Sequence, residues 1–135
     1  MMNPGKNVSK MAMHITYGCL VVPVEVELYD DTVLHIREEI LAKVWETRVN
    51  GVIIDLSGVS VIDSFSGGVI RDTAKAVSLL GATTVISGLQ PETAAALVDL
   101  NLYFEGIVKV STLEEGLRLL QPAAADRPEL NNETL

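Results

Sequence analysis

The chain has little of what metal sites and membrane proteins need. It has one cysteine, Cys19, so it can form neither an internal disulfide nor a cysteine-rich metal site. Its two histidines, His14 and His35, have no cysteine or histidine neighbour at metal-ligand spacing, and we assign them structural or surface roles. The longest apolar run, residues 19–24, is too short to cross a bilayer, and the N-terminus lacks the apolar stretch of a signal peptide. These absences predict a cytoplasmic protein with no bound metal and no membrane contact.

Positive charge is also scarce. Lysine plus arginine number 10 against 18 for aspartate plus glutamate, which gives a net charge of −8. Such a chain is repelled by nucleic-acid phosphates and by anionic lipid, so we expect neither as a partner. Apolar residues make up 48% of the 135 residues and charged residues 21%, which excludes a disordered protein and predicts one folded domain.

The motifs of common enzymes are missing as well. The chain contains no GxSxG, HExxH, GxxxxGKS or GxGxxG pattern, so we expect neither catalysis nor a cofactor. Asp30, Asp31 and Asp55 follow predicted strands, as the acids of a receiver domain would. However, only one helix separates the two groups, where a receiver needs a helix, a strand and a second helix, and Lys109 is poorly placed for the receiver lysine. We therefore expect Asp30 and Asp31 to cap a helix, and Asp55 to bind loop amides at a strand end.

Hydrophobic periodicity predicts an α/β fold. Strand-like and helix-like patterns follow one another in the order β-β-α-β-α-β-α-β-α. This order predicts a mixed, mostly parallel sheet of about five strands with about four helices, in a domain at residues 13–121. Residues 1–12 are expected to form a flexible leader and residues 122–135 a mobile tail. The predicted strands are 13–18, 19–28, 52–56, 83–87 and 107–110, and the predicted helices are 31–48, 63–80, 92–100 and 112–120.

Three local patterns make sharper predictions. Between residues 22 and 28, apolar residues alternate with Pro23 and two glutamates, which predicts a strand with one buried face and Pro23 at an edge or a bulge. Asn50-Gly51 is expected to end the first helix. The apolar positions of the alternating strand are Val22, Val24, Val26 and Leu28. The predicted inner face of the helix at 63–80 is Val69, Ile70, Thr73, Val77 and Leu80.

The most informative segment, Ile62 to Gly68, places one acid and two hydroxyls at the start of a helix that follows a buried strand. Either Asp63 or Ser64 alone is sufficient to cap this helix. Gly67 and Gly68 need another explanation, because each costs about 1 kcal/mol in a helix relative to alanine. They remove bulk around the Ser64 hydroxyl, where a phosphate would add about −1.5 to −2 charge beside Asp63. A plain helix cap and an interaction surface switched by phosphorylation both remain open.

Three stretches carry a further signal: CLVVPVEVELYDD, NGVIIDLSGVSVIDSF and LGATTVISGLQPETAAALVDLNL. Together they resemble the STAS domain, the fold of anti-anti-sigma factors, and more closely the RsbS-type scaffold proteins of the bacterial stressosome, over residues 14–120. The resemblance implies a protein that sequesters an RsbT-type serine kinase and releases it when Ser64 is phosphorylated. It also implies self-association, co-assembly with RsbR-type STAS paralogues and resetting by an RsbX-type phosphatase. The implied kinase-interaction surface is Asp63, Ser64, Phe65, Ser66, Gly67 and Gly68.

Two features depart from the usual pattern of this family, the residues after Phe65 and Asn101. The small residues after Phe65 are closer to RsbV-type anti-anti-sigma factors than to the bulkier RsbS-type pattern. The alternative function is therefore that of a monomeric RsbV-like factor that binds an anti-sigma kinase. Ser60 and Ser66 are the competing phosphorylation sites. Asn101 stands where the family usually has glycine, and asparagine tolerates the left-handed conformation.

Overall fold

The computed structural model describes residues 12–25 and 27–121, so the predicted tail, Val26 and all but the last residue of the predicted leader lie outside the described residues. The described elements follow the predicted order. None of the described helices combines the length and apolar character that crossing a bilayer requires. The strands are β1 (His14–Thr16), β2 (Cys19–Pro23), β3 (Gly51–Asp55), β4 (Thr83–Ser87) and β5 (Val108–Val110). The helices are α1 (Asp30–Thr47), α2 (Ser64–Leu79), α3 (Pro91–Asp99) and α4 (Leu113–Leu120).

The strands form one mixed sheet in the order β1-β2-β3-β4-β5, which confirms the predicted fold class. β1 pairs antiparallel with β2 across a two-residue turn, and the other neighbours are parallel. Tyr17 and Gly18 in that turn have φ values of 53° and 77°, the backbone of a tight hairpin whose twist matches the strands. Because the strand order never reverses, right-handed crossovers place α1, α2 and α3 on one face of the sheet, and α4 packs on the other.

Two glycines allow α4 to lie close to the sheet. A Cβ at Gly116 would lie 3.3 Å from Cδ1 of Ile53 and 3.5 Å from Cγ1 of Val85. A Cβ at Gly51 would lie 2.7 Å from Cδ1 of Leu120, so that side chain would have to move. Gly51 is therefore the first residue of β3, and its lack of a side chain leaves room for Leu120 of α4. The prediction that Gly51 ends the first helix is wrong.

Both ends of α1 differ from the sequence prediction. The helix ends at Thr47, and the C-cap residue Arg48 has a left-handed backbone (φ 59°) and an amide that donates to the carbonyl of Val44. At the other end, Tyr29 occupies the N-cap position and makes no side-chain capping bond. Asp30 and Asp31 occupy the first turn instead, so they stabilise α1 through the helix dipole and do not cap it as predicted.

β2 is a buried inner strand, and the prediction of one exposed face is wrong. All of its residues from Cys19 to Val22 are buried, as expected for a strand that lies between two neighbours in a sheet with helices on both faces. Pro23 is the last residue of β2, in register with Asp55, and lies neither on an edge strand nor at a bulge. Val24 and Leu28 are buried as predicted, but they belong to the segment that follows the strand.

α2 has the inner face that the sequence predicted, with one exception. Val69, Ile70, Thr73 and Val77 are buried, whereas Leu80 is 39% exposed because the helix ends at Leu79. After α3, Asn101 adopts φ 59°, the left-handed conformation expected of a residue that replaces glycine. The buried face of α2, the helix that carries Ser64, thus extends from Ser66 to Val77.

Candidate functional site

The segment from Ile62 to Gly68 lies at the end of the sheet where the carboxyl ends of the parallel strands meet. β3 ends at Asp55, a connection follows, and α2 begins at Ser64. In parallel sheets, the residues that follow the strand ends lie along one edge, so this connection is close to those after β2 and β4.

Asp63 is the N-cap residue of α2. Its Oδ1 accepts a hydrogen bond from the backbone N–H of Ser66 at 2.8 Å, and its carbonyl oxygen accepts from the N–H of Gly67 at 2.9 Å. The bond from the Ser66 amide favours the charged form and lowers the pKa of the Asp63 carboxyl. Asp63 is therefore ionised at neutral pH and supplies the cap that α2 needs.

Ser64 is the first residue of α2, and its side chain is exposed. Within residues 12–25 and 27–121, its hydroxyl has no hydrogen-bond partner, and the acceptor of the capping bond is the Asp63 carboxylate. Two exposed apolar side chains flank it in sequence: Val61 is 70% exposed and Phe65 is 44% exposed. The Ser64 hydroxyl is thus exposed, and an acid and two exposed apolar residues lie within three positions of it in sequence.

Ser66 lies inside the protein, although the sequence placed it on the interaction surface. Its side chain is 0% exposed, and its Oγ donates to the carbonyl oxygen of Leu28 at 2.8 Å. The first turn of α2 therefore directs its two serines in opposite directions, and Ser66 is neither a surface contact nor an accessible phosphorylation site in the folded protein. Ser60, the other competing site, is exposed.

Gly67 and Gly68 have different roles. Gly67 is buried, and a Cβ there would lie 2.6 Å from Cδ1 of Leu102 and 3.4 Å from Cδ2 of Leu97. It allows α2 to pack against α3 and the residues after it, so the prediction that it thins the surface around Ser64 is wrong. A Cβ at Gly68 would meet only Nη2 of Arg71, at 3.6 Å, and would otherwise face open space.

Side chains from the β4–α3 region hold the connection that leads to Ser64. Gln90 Nε2 donates to the Ser57 carbonyl at 2.7 Å, and the buried Thr93 hydroxyl donates to the Val59 carbonyl at 3.0 Å. The Asp55 carboxylate accepts from the Ser57 amide at 3.2 Å, which confirms its predicted role at a strand end. Sequence analysis missed Gln90 and Thr93, because no local pattern pairs residues more than thirty positions apart.

The residues considered for metal binding or catalysis do not come together. In the part of the chain that the structure describes, no three His, Cys, Asp or Glu side chains are grouped so that they could hold a metal ion. His14 lies exposed on β1, and His35 is half-buried on α1. Cys19 is buried in β2, and burial raises the pKa of its thiol, so it is not an activated nucleophile.

Because Gly67 is buried and Gly68 is open, replacing each with alanine should change the free energy of unfolding in opposite directions. Gly68→Ala should raise the free energy of unfolding by about 1 kcal/mol, because alanine is the better helix former and the site is open. Gly67→Ala should lower it by about 1 kcal/mol or more, because the new methyl group displaces Leu102. Urea unfolding of the two variants checks this. Equal effects of the two substitutions would contradict the packing role of Gly67.

The cap predicts a pH-dependent contribution from Asp63. The folded-state pKa lies below the unfolded value of about 3.9, so the stabilisation is fully present above that pH and is lost as the pH falls through the folded-state pKa. Asp63→Ala should cost about 1 kcal/mol at pH 7, and this difference from wild type should shrink below about pH 4. Denaturation at pH 7 and pH 3 measures it, with Asp63→Asn as a cap that does not titrate. A difference of the same size at both pH values would exclude a charged cap.

Comparison with known proteins identifies the family of the chain. Residues 10–115 match the family model for the STAS domain. The RsbT co-antagonist protein RsbRC of Bacillus subtilis (strain 168) is 38% identical over 82 residues, which are 61% of this chain and 29% of RsbRC. The chain thus spans less than a third of the length of this curated relative.

Two solved structures have the same fold. One is a variant of RsbS from Moorella thermoacetica in which a serine is replaced by glutamate. It is 28% identical to this chain with a TM-score of 0.73, and the match covers 83% of this chain and 97% of that chain. The other is a chain in a structure that describes the molecular architecture of the stressosome, a signal integration and transduction hub. It is 27% identical to this chain with a TM-score of 0.69, and the match covers 85% of this chain and 98% of that chain. With these likenesses to stressosome proteins and the family match over residues 10–115, the chain belongs to the STAS domain family.

Proposed function

We propose that the chain is a non-catalytic stressosome scaffold that holds an RsbT-type serine kinase and releases it when Ser64 is phosphorylated. The observation that carries the proposal is the exposed Ser64 hydroxyl at the start of α2, beside a cap that Asp63 already supplies. The relatives support it: RsbRC is a co-antagonist of RsbT, and the similar folds include an RsbS and a stressosome chain. The Moorella variant also replaces a serine hydroxyl with a carboxylate.

The chemistry of the switch belongs to the partners. The kinase transfers the γ-phosphoryl group of its own ATP to Ser64 Oγ; the new O–P bond forms as the bond to the departing ADP breaks, and the hydroxyl proton passes to a base of the kinase. An RsbX-type phosphatase then hydrolyses the phosphoserine to serine and inorganic phosphate. Neither step uses a catalytic group of this chain, so the chain itself needs no nucleotide or metal.

Release follows from where the new charge lies. The phosphate adds about −1.5 to −2 charge next to the ionised Asp63, in a stretch of chain whose exposed apolar side chains are Val61 and Phe65. A docked partner would have to cover this group against apolar surface, and an unpaired charge buried in an interface costs several kcal/mol. The fold itself tolerates the phosphate, because the N-terminal end of α2 carries the positive end of the helix dipole. The kinase is therefore released while the domain stays folded.

We further propose that the chain self-associates and co-assembles with RsbR-type paralogues into a large hetero-oligomer. Its similarity to RsbRC and to a stressosome chain supports this assembly. The small residue at position 68, where a Cβ would meet only Nη2 of Arg71, favours the alternative of an RsbV-like factor that binds an anti-sigma kinase as a monomer. The two functions share the Ser64 turn and differ in assembly.

Substitutions of Ser64 test the switch. Ser64→Asp should weaken kinase binding at least about tenfold, because it places a carboxylate inside the interface. Ser64→Ala should bind as wild type does and should not be phosphorylated. Both should keep the free energy of unfolding within about 1 kcal/mol of wild type, as is usual for a surface substitution. Titration calorimetry with the kinase, alongside thermal unfolding, measures these effects.

Ser60→Asp is the matched control, since Ser60 is exposed on the same connection but precedes the helix. It should bind the kinase as wild type does. Phosphopeptide mapping after incubation with the kinase and ATP should place the phosphate on Ser64. Equal kinase binding by Ser64→Ala and Ser64→Asp, or a phosphate found on Ser60, would refute the switch.

The state of assembly separates the two candidate functions. Mixing the chain with an RsbR-type paralogue should produce a particle much larger than a dimer, detected by light scattering. The same mixture with an unrelated acidic protein of similar size is the control for nonspecific association. A chain that stays monomeric with its paralogue contradicts the scaffold and supports the RsbV-like factor.

A further inference from the structure

A buried hydrogen bond joins the first turn of α2 to the segment between β2 and α1. The Ser66 hydroxyl donates to the Leu28 carbonyl at 2.8 Å, across 38 positions of sequence, and the serine side chain is fully buried. The backbone amide of Ser66 donates the capping bond to Asp63, and the Ser66 side chain also helps to lower the pKa of the Asp63 carboxyl. The bond from the Ser66 hydroxyl to the Leu28 carbonyl also joins the two segments to each other.

The residue that follows the Leu28 carbonyl carries a large exposed side chain. Leu28 is 8% exposed and belongs to the core, whereas the next residue, Tyr29, is 67% exposed. Tyr29 is the N-cap of α1 but makes no capping bond with its side chain, so α1 does not need its ring. Tyrosine is enriched at protein interfaces because it combines apolar area with a polar hydroxyl.

The packing around Leu28 leaves one small gap. Leu28 borders a small apolar cavity of about 10 Å³ between α1 and α2, whose lining includes Val33 and Ile70. Part of the Leu28 side chain therefore lacks the close neighbours that dispersion attraction requires. The Ser66 hydroxyl adds what this packing does not, a directional contact to the Leu28 backbone.

Charge around Tyr29 indicates the kind of surface that would meet it. Two exposed carboxylates precede Tyr29 in sequence and two follow it. The described residues before Arg37 include no lysine or arginine. A partner that covers Tyr29 must approach these acids, so complementarity requires basic side chains on that part of the partner. The acids are Glu25, Glu27, Asp30 and Asp31.

We propose that the kinase-docking surface is composite: the Ser64 turn forms one half, and the β2–α1 segment with Tyr29 forms the other. Tyr29 contacts a basic part of the kinase. Ser66 is a positioning residue that acts through the segment carrying Tyr29. This inference rests on the proposed function and adds to it the second half of the surface and the buried bond that joins the halves.

A double-mutant cycle tests whether Ser66 acts through Tyr29. Tyr29→Ala and Ser66→Ala should each weaken kinase binding about tenfold, the range of a residue near the centre of an interface. In the Tyr29→Ala background, Ser66→Ala should weaken binding by less than about twofold, because the side chain that it positions is gone. Leu79→Ala, at the other end of α2 and 87% exposed, is the control and should bind as wild type does.

A second control separates positioning from a general loss of stability. Thr73→Val also removes a buried hydroxyl from α2, but the Thr73 hydroxyl donates only to the Val69 carbonyl of the same helix, at 2.7 Å. NMR backbone order parameters should fall at residues 27–30 in Ser66→Ala and stay unchanged there in Thr73→Val. Kinase binding should also be unchanged in Thr73→Val.

Charge reversal tests the basic partner surface. Glu27→Lys and Glu114→Lys change the net charge equally, but Glu114 lies exposed on α4, on the opposite face of the sheet. Glu27→Lys should slow association with the kinase several-fold more than Glu114→Lys does. The reason is that Glu27 lies in the β2–α1 segment, where the new positive charge would repel the basic side chains of the kinase. Equal rates for the two variants would overturn the basic contact.

The outcomes distinguish this inference from the proposed function. Normal kinase binding by Tyr29→Ala overturns the composite surface while leaving the Ser64 switch intact. Additive losses for Ser66→Ala and Tyr29→Ala, or order parameters unchanged at residues 27–30, overturn the positioning role. A wild-type chain that does not bind the kinase overturns the proposed function, and the composite surface with it.

Discussion

The site depends on one hydrogen bond, in which the backbone N–H of Ser66 donates to the Asp63 carboxylate at 2.8 Å. The first amides of a helix have no intrahelical acceptor, and this carboxylate provides one from the N-cap position. With the cap satisfied, Ser64 stays at the surface, while Ser66, two residues later, faces the interior. The same bond lowers the pKa of Asp63, so the turn is negatively charged before any modification.

The strand order determines what this turn can meet. Many α/β folds bind cofactors where the strand order reverses and adjacent crossovers separate to opposite faces. The described sheet runs from β1 to β5 without reversal, and its parallel crossovers lie on one face. At the edge where the strands end, Gln90 and Thr93 bind the connection that precedes α2. The turn at Ser64 is thus held on a firm support, which suits contact with another protein surface.

The fold and the family could be predicted because they depend on local patterns. The apolar residues at helical spacing after Asp63 identify α2, and the short apolar run after Gly81 identifies β4. The alternation from residue 22 to 28 failed for a physical reason. Pro23 has no N–H and stands at the end of β2, while Val24 and Leu28 are buried in an irregular segment that gives the same alternating pattern as a strand.

The sequence by itself determined the order of elements, the STAS family and the position of Ser64 at a helix start, since each follows from contacts within a few residues. Only the tertiary structure decided which serine faces outward and what each glycine does. Ser66 is buried because its hydroxyl meets the Leu28 carbonyl, 38 positions earlier, and Gly67 is required because Leu102 packs over it. Such pairings depend on how α2 lies against its neighbours, a relation that no pattern along the chain encodes locally.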